Sequence, residues 1–329
     1  MRGLLLKLLF SLMLCFFILG TILTVFIWYI FNHSDVKPHS SSNLARRTTD
    51  AGSSGMCRDC RENTIDKMVE LYSHAWKKQN GNFNKFRSQL ASRCHGLSKA
   101  IVTQANTPLK SKIVYDGEKR NPLQVTPKLF STFVKEQPFE NVTWKTCAVV
   151  GNGGILINSS CGEAIDSAHF VFRCNLPPLD KGYEKDVGNK TNLVTANPSI
   201  LLEKFEGLME HRAPLWRVWD FSSPIRPVFL NPEYLRNLAR FWRTQGLRVT
   251  RLSTGLIMSS LALELCASVH LYGFWPYAQH PHDRQPLINH YYDNRQGKKT
   301  VHAMPAEFAH LLHLHRQGVV RVHLGQCPR

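Results

Sequence analysis

The chain has 329 residues, and its 41 Lys and Arg outnumber its 24 Asp and Glu, which gives a formal net charge of +17. This length accommodates one sizeable domain with appendages, and the excess of basic side chains either serves solubility or indicates an anionic partner. Nucleic acid is disfavoured as that partner, because the sequence has no zinc-finger spacing, no RNP-like aromatic stretch and no Lys/Arg-rich run. A membrane surface and an acidic substrate remain.

An apolar run near the amino terminus predicts a membrane anchor. It extends almost without interruption from Leu8 to Phe31, which as a helix is long enough to cross a hydrocarbon core of about 30 Å. Arg2 and Lys7 precede it, which favours a cytoplasmic tail over residues 1–7 and a lumenal remainder. A cleaved signal peptide is the alternative, but the run exceeds a usual signal core and no small-x-small site closes it. We therefore predict a signal anchor over residues 8–31.

Composition separates a stem from a folded domain. Residues 32–56 are rich in Ser, Thr, Asn and Gly and show no hydrophobic periodicity, so we predict a flexible stem there and a lumenal domain over residues 57–329. At the start of this domain, the segment from Asn63 to Leu97 carries apolar residues at helical spacing. We expect this segment to cover one side of the core.

A glycine-rich turn follows the first predicted strand of the domain. The apolar run from Ala148 to Val150 leads into residues 151–154, which read GNGG, and this pattern is typical of a buried strand that ends in a tight turn. The side chain of Asn152 offers a hydrogen-bond donor and an acceptor at the carboxyl end of the strand, where open α/β sheets bind ligands. An ordinary strand-to-helix turn is the alternative.

Two further strands are expected to bring polar residues to the same edge. The strand Phe170–Arg173 leads to Cys174 and Asn175, and the strand Leu193–Ala196 leads to Asn197. Because neighbouring parallel strands present their carboxyl ends together, two asparagines at adjacent ends favour a polar ligand, such as a nucleotide.

The second half of the domain alternates between helices and strands. Helices are predicted at Ile200–Glu210, Glu233–Thr244, Leu256–Cys266 and Met304–Gln317, and strands at Pro227–Leu230 and Val269–Phe274. The alternation predicts an α/β domain with a mostly parallel sheet.

Two interpretations of these elements concern nucleotides. Ser253, Thr254 and Gly255 stand at the start of the third helix, where free N–H groups suit a phosphate, although a simple helix cap is the common role of such residues. The alternation of strands and helices is, by itself, equally compatible with a dinucleotide-binding oxidoreductase. Against it, GNGGIL lacks the full G-x-G-x-x-G spacing and no acidic residue ends the second strand.

Four segments resemble the sialyl motifs of eukaryotic sialyltransferases. Cys147–Thr195 is similar to the large motif, Ser253–Trp275 to the small motif, His290–Asp293 (HYYD) to the third motif, and His302 with Glu307 (HAMPAE) to the very small motif. The motifs follow the family's order, and the resemblance covers nearly the whole chain after about Cys57. Within the family the chain resembles the alpha-2,8-sialyltransferases, especially those that form short disialyl groups.

This resemblance implies a fold, an activity and a location. The fold is a single modified Rossmann-like glycosyltransferase domain, a GT-A-like variant, behind the signal anchor and stem. The activity is inverting transfer of sialic acid from CMP-sialic acid to the terminal sialic acid of glycoprotein O-glycans or glycolipids. The location is the Golgi membrane, with single-pass type II topology. Whether the acceptor is an O-glycan, an N-glycan or a ganglioside stays open.

The resemblance also assigns roles to residues. It makes His302 the general base, a task that suits histidine because this side chain ordinarily titrates near neutral pH. It makes His290 the residue that binds the departing phosphate. The donor is held by Asn152, Asn175, Ser253, Thr254, Gly255 and Trp275. The chain has no Asp-x-Asp metal motif and CMP carries one phosphate, so we expect neither a metal nor a cofactor.

Cysteines and sequons fit a secretory-pathway protein. By resemblance Cys147 pairs with Cys266 and Cys161 with Cys327, and Cys174 is free and buried. The Cys57–Cys60 spacing is compatible with zinc, but no second close pair follows, and the pairing of Cys57, Cys60 and Cys94 stays open. Glycosylation is predicted at three sequons, Asn141, Asn158 and Asn189, whereas a fourth at Asn32 is close to the anchor.

The chain departs from the family between Pro198 and Ser253, where it is shorter than the resemblance leads one to expect. The shortening corresponds to a strand and the loop that follows it. Removal of a strand from the middle of a parallel sheet would leave buried backbone groups unpaired. Two hypotheses therefore stand side by side: an active transferase with a rebuilt acceptor site, and a shortened, catalytically silent form that binds donor or partner enzymes.

Overall fold

A computed structural model describes residues 64–94, 96–115, 122–180, 182–196, 227–294 and 302–328, together with a few positions between 13 and 24. The chain divides into two units, Met1–Ser54 and Gly55–Arg329. In the first unit the described positions are helical. No helix among the described residues is both long and apolar enough to span a membrane. Most of the predicted anchor, the stem and the helix Ile200–Glu210 lie outside the described residues.

Five parallel strands form the central sheet of the second unit. They are β3 (Cys147–Val150), β4 (Phe170–Arg173), β5 (Leu193–Val194), β6 (Val269–Tyr272) and β7 (Arg321–His323), in the order β5-β4-β3-β6-β7. The central strand β3 is buried along its whole length, as its apolar run CAVV predicts. A small antiparallel pair, β1 (Lys112–Ile113) and β2 (Leu123–Gln124), lies apart from this sheet. The predicted α/β class with a mostly parallel sheet is confirmed.

The strand order creates a switch point between β3 and β6. From β3 the chain proceeds to β4 and β5 on one side, and later places β6 and β7 on the other side. Open sheets of this kind bind ligands outside the carboxyl ends of the strands at such a point. Each described strand from β5 to β7 pairs with its neighbour, so the shortened segment leaves no unpaired edge in the middle of the described sheet.

Helices flank the sheet and its loops. The helices are α1 (64–72), α2 (Asn80–Cys94), α3 (Pro127–Ser131), α4 (Gly162–Asp166), α5 (Glu184–Val187), α6 (Pro232–Thr244), α7 (Thr254–Leu265) and α8 (Met304–Arg316). Helix α6 begins where the Asn231 side chain accepts a hydrogen bond from Glu233 N. Helix α7 is apolar around most of its circumference, and nine of its 12 residues are buried, as expected for a helix inside the core.

The helical spacing predicted over Asn63–Leu97 is confirmed, since this segment forms α1 and α2 with a break between them. One predicted strand differs from the structure. The predicted strand Pro227–Leu230 does not join the sheet. Its backbone pairs instead with the segment near Ile101 through an isolated antiparallel bridge to Leu230, and Val102 N donates to Phe229 O at 2.8 Å. The backbone groups of this segment are therefore paired outside the central sheet, directly before Asn231 caps α6.

Two disulfides tie distant elements together. Cys147 in β3 bonds to Cys266 at the end of α7, and Cys161 before α4 bonds to Cys327 near the carboxyl terminus. Both pairings that the resemblance implied are confirmed. Cys174 is free and buried, as expected, and burial raises the pKa of its thiol to about 12. Cys94 is also free and buried.

Candidate active site

The turns after β3 and β6 meet at the switch point of the sheet. Gly151 N donates to Tyr272 O at 2.8 Å, and Gly153 N donates to Gly273 O at 3.0 Å. A Cβ atom at Gly151 would stand 2.6 Å from Gly273 O, and one at Gly153 would stand 2.7 Å from the same oxygen. Glycine is therefore required here because two backbones touch, and their contact holds Asn152 at the edge of the crevice.

Asn152 presents an open hydrogen-bond acceptor. Its Nδ2 donates to Cys174 O at 2.9 Å, which links the end of β3 to the end of β4. Its Oδ1 is buried and has no hydrogen-bond partner among the residues that the structure describes. A buried polar atom without a partner is costly in a folded protein, so this oxygen fits a donor group of a bound ligand.

Asn175 lies next to Asn152, at the end of β4. Its backbone is in the left-handed region, with φ of 63°, and its N–H donates to Thr195 Oγ1 at 2.9 Å. Thr195 Oγ1 also lies 3.2 Å from Asn175 Oδ1. Asn152 is therefore bonded to the residue that directly precedes Asn175, whereas Asn197, at the end of the third predicted strand, lies outside the described residues.

The HYYD segment is bound to the glycine-rich turn. Gly153 and His290 form an antiparallel bridge, and Tyr291 N donates to Asn152 O at 2.9 Å. His290 Nδ1 lies 2.7 Å from Asp293 Oδ1. The imidazole ring stacks on the Tyr292 ring with centroids 5.3 Å apart. His290 thus shares one rigid backbone unit with Asn152.

The start of α7 lies against the end of β6. Ser253 Oγ accepts a hydrogen bond from Leu256 N at 3.1 Å, as a helix cap does. A Cβ atom at Gly255 would stand 2.9 Å from the Phe274 ring, so the helix approaches this ring closely. The partly exposed residues Thr254 and Gly255 contribute the first N–H groups of the helix, and these groups suit an anion.

His302 stands beside this helix start. Its Nδ1 lies 3.0 Å from Arg251 O. Because a carbonyl oxygen only accepts, Nδ1 carries the proton and Nε2 presents its lone pair in the neutral ring. That tautomer is the one a general base needs.

A buried carboxylate near His302 binds the start of α7. Glu307 Oε1 accepts a hydrogen bond from Ser253 N at 2.9 Å. Burial raises the pKa of Glu307, whereas its hydrogen bonds from Ser253 and the nearby His302 act in the opposite direction. The HAMPAE pattern includes Glu307, but it does not predict the bond to Ser253, because Ser253 lies 54 residues earlier in the chain.

Trp275 takes a more internal position than its sequence context indicated. Its indole N–H donates to Gln279 O at 2.6 Å and its ring packs edge-on against Phe308 of α8. The N–H group therefore holds the loop after β6. Direct contact of Trp275 with a bound donor remains a prediction.

The residues predicted from sequence thus fall into two adjoining groups. Asn152, Asn175 and His290 surround the ends of β3 and β4, whereas Ser253, Thr254, Gly255 and His302 surround the start of α7. Residues Gly273 to Trp275 lie between the groups, since Gly273 contacts Gly153 and Phe274 contacts Gly255.

Comparison with known proteins identifies the family. The model of glycosyltransferase family 29 (sialyltransferase) matches residues 101–221 and 209–319 of the chain. The chain belongs to this family. The two matched ranges overlap at residues 209–221, and this overlap lies inside the segment where the sequence predicts a shortening.

Two curated relatives and one solved structure illustrate what this sialyltransferase is similar to. Human alpha-2,8-sialyltransferase 8E is 40% identical over 293 residues, which cover 80% of the chain and 78% of the relative. Mouse alpha-2,8-sialyltransferase 8F is 40% identical over 300 residues, which cover 82% of the chain and 75% of the relative. A crystal structure of a mammalian sialyltransferase is similar at 22% identity and a TM-score of 0.40, over 80% of this chain and 86% of that one.

A cavity of about 510 Å³ lies away from these residues. It lies along β6 and β7 and is lined by Trp76, Arg321 and three histidines, His270, His315 and His323, among others. Burial is the main cause that lowers the pKa of these histidines, to about 4 for His270 and His315 and about 3 for His323. None of the predicted catalytic or donor-binding residues lines this cavity.

These histidines are expected to make the folded sialyltransferase sensitive to acid. The unfolded chain takes up protons below about pH 6.5, whereas the buried rings stay neutral to about pH 4, so the free energy of unfolding should fall between these values. Burial raises the pKa of Glu264 to about 6. This carboxyl group therefore stabilises the folded state as the pH falls, but its shift is smaller than those of the histidines. Urea unfolding at pH 7.5 and pH 5 tests the expectation: His323→Gln should flatten the decrease. An unchanged urea midpoint between the two pH values would contradict it.

The three sequon asparagines, Asn141, Asn158 and Asn189, are exposed in the structure. Their glycosylation stays a prediction.

Proposed function

We propose that this sialyltransferase transfers sialic acid from CMP-sialic acid to the terminal sialic acid of a glycoprotein or glycolipid glycan, in alpha-2,8 linkage and with inversion. The observation that carries the proposal is the identity of about 40% over about 80% of the chain with proteins named alpha-2,8-sialyltransferases. The active form is favoured over a catalytically silent one, because all four motifs are present and the described sheet pairs without a gap.

The open edge of the sheet supports the binding of a nucleotide donor. The unpaired Asn152 Oδ1 is suited to accept a hydrogen bond from the donor, and the start of α7 with Ser253, Thr254 and Gly255 is suited to the phosphate. Asn175 and Trp275 complete the donor residues that we propose.

The chemistry requires a base and a site for the leaving group. As the acceptor oxygen forms its bond to the anomeric carbon, its proton passes to Nε2 of His302. The bond from the anomeric carbon to the phosphate oxygen breaks, and its electron pair stays on CMP. His290 faces that developing charge, which a protonated imidazole stabilises. Attack opposite CMP converts a beta-linked donor into an alpha product.

We propose that the reaction needs neither a metal nor another cofactor. The sequence has no Asp-x-Asp motif, and the departing group carries one phosphate rather than two. A helix amino terminus and His290 supply the electrostatic stabilisation that a divalent cation gives to a diphosphate.

The proposed setting is the Golgi membrane, with residues 1–7 in the cytoplasm, a single anchor over residues 8–31, a stem over residues 32–56 and a lumenal catalytic domain over residues 57–329. The apolar run from Leu8 to Phe31 and the basic residues before it support this topology. The proposed acceptor is either a sialylated O-glycan or a sialylated glycolipid.

Transfer from CMP-sialic acid by the full chain in detergent tests the proposal. A sialylated O-glycoprotein and a sialylated lactosylceramide serve as alternative acceptors, each with and without excess chelator. We expect an alpha-2,8-linked disialyl product on at least one acceptor, at the same rate with chelator. Complete loss with chelator would overturn metal independence. Binding of CMP without transfer to either acceptor would favour the silent form.

A further inference from the structure

The pairing of His290 with Asp293 assigns the proton on the imidazole ring. His290 Nδ1 lies 2.7 Å from Asp293 Oδ1, and about a third of each side chain is exposed. An ionised carboxylate only accepts hydrogen bonds, so Nδ1 carries a proton that it donates to Asp293. The other nitrogen, Nε2, lies 3.4 Å from Asn289 Nδ2, a long contact that a ligand oxygen would replace, and it is the nitrogen left to bind a ligand.

The orientation of the ring is set by the same segment. The rings of His290 and Tyr292 are nearly parallel, at 7°, and Tyr292 Oη lies 3.5 Å from Asn152 Nδ2. His290 N also donates to Asp293 O at 2.9 Å, which closes the turn. The ring is therefore held between a carboxylate and an aromatic face, both fixed relative to Asn152.

A second pair with the same spacing occurs ten residues earlier. His280 Nδ1 lies 3.0 Å from Asp283 Oδ1, also three residues apart in the chain. This pair belongs to the turn enclosed by the Gln279–Pro286 bridge, and the His280 ring neighbours His282 rather than the glycine-rich turn. The spacing alone is therefore insufficient, and the bridge from His290 to Gly153 distinguishes the first pair.

We propose that Asp293 is a positioning residue, which keeps the His290 ring in the orientation and protonation pattern that direct Nε2–H to the phosphate of the donor and of CMP. The inference rests on the proposed function, since it concerns the same site. Asp293 touches neither substrate. It acts by receiving the Nδ1 proton in a charge-assisted hydrogen bond and by balancing the charge of the ring when both nitrogens are protonated.

The affinities for CMP and for cytidine, measured by calorimetry on the full chain in detergent, test this role. The two ligands differ by the phosphate, so their affinity ratio reports the phosphate contact alone. We expect His290→Ala to lower the ratio by roughly tenfold to a hundredfold, as loss of a hydrogen bond to a charged group does. Asp293→Asn is expected to lower it about tenfold, because a neutral amide no longer stabilises the doubly protonated ring, whose positive charge and Nε2–H bind the phosphate.

Three comparisons separate positioning from a general structural effect. Asp293→Glu should restore part of the ratio, Asp283→Asn should leave it unchanged, and Asp293→Asn should add nothing to His290→Ala. Cytidine affinity should stay within twofold throughout. The inference is overturned if Asp293→Asn keeps the wild-type ratio, weakens cytidine equally, or adds its full effect to His290→Ala. Absence of CMP binding by the wild-type chain would instead overturn the proposed function itself.

Discussion

Replacing His302 with alanine is expected to lower kcat for sialic acid transfer by about 10³-fold, within the range of about 10²- to 10⁴-fold typical of a lost general base. The donor KM should change little, because the proposed donor contacts are made by other residues. The physical reason is the tautomer set by Arg251 O, which lies 3.0 Å from Nδ1 and leaves Nε2 free to take the acceptor proton. Steady-state kinetics with CMP-sialic acid varied at saturating acceptor measures both constants.

The control for this variant lies on the next helix. His313 of α8 is exposed, and its Nε2 lies 3.0 Å from Nε2 of the Gln317 side chain, one turn further along the same helix. His313→Ala should retain wild-type kcat. If His302→Ala keeps a kcat within tenfold of the wild-type value, His302 is not the general base, and another group near α7 takes that role.

The double variant Cys161→Ala, Cys327→Ala is expected to lose about 5 kcal/mol of unfolding free energy, because the chain-entropy model assigns about this value to a loop longer than 100 residues. The two cysteines are 166 residues apart. At about 2 to 4 °C per kcal/mol, the melting temperature should fall by roughly 10 to 20 °C. Thermal unfolding of both proteins under the same oxidising conditions measures the difference.

A third cysteine supplies the comparison. Cys174 is buried but free, so Cys174→Ala removes a thiol without opening a loop, and its melting temperature should fall much less than that of the double variant. Equal losses in the two proteins would mean that packing of sulfur, rather than loop closure, accounts for the stabilisation.

Elements defined by local patterns were predicted well. The runs CAVV and FVFR became β3 and β4 with bounds close to those predicted, because an apolar run of this length can be buried only inside a sheet or a core. The helix Glu233–Thr244 was also predicted, and in the structure it begins one residue earlier, at Pro232, a residue that suits the first turn of a helix. Pro227–Leu230 carried a similar extended pattern, yet its partner is the segment near Ile101 rather than the sheet.

The sequence by itself determined the class of the fold, the strand ends that carry Asn152 and Asn175, and, through its motifs, the sialyltransferase family. These properties depend on short patterns of neighbouring residues. Only the tertiary structure decided the strand order, the unpaired Asn152 Oδ1 and the bond from Ser253 to Glu307. It also separated His290–Asp293 from the equally spaced His280–Asp283, because the bridge to Gly153 joins residues more than 130 positions apart. Such hydrogen bonds form only when distant segments pack together, and no local pattern records them.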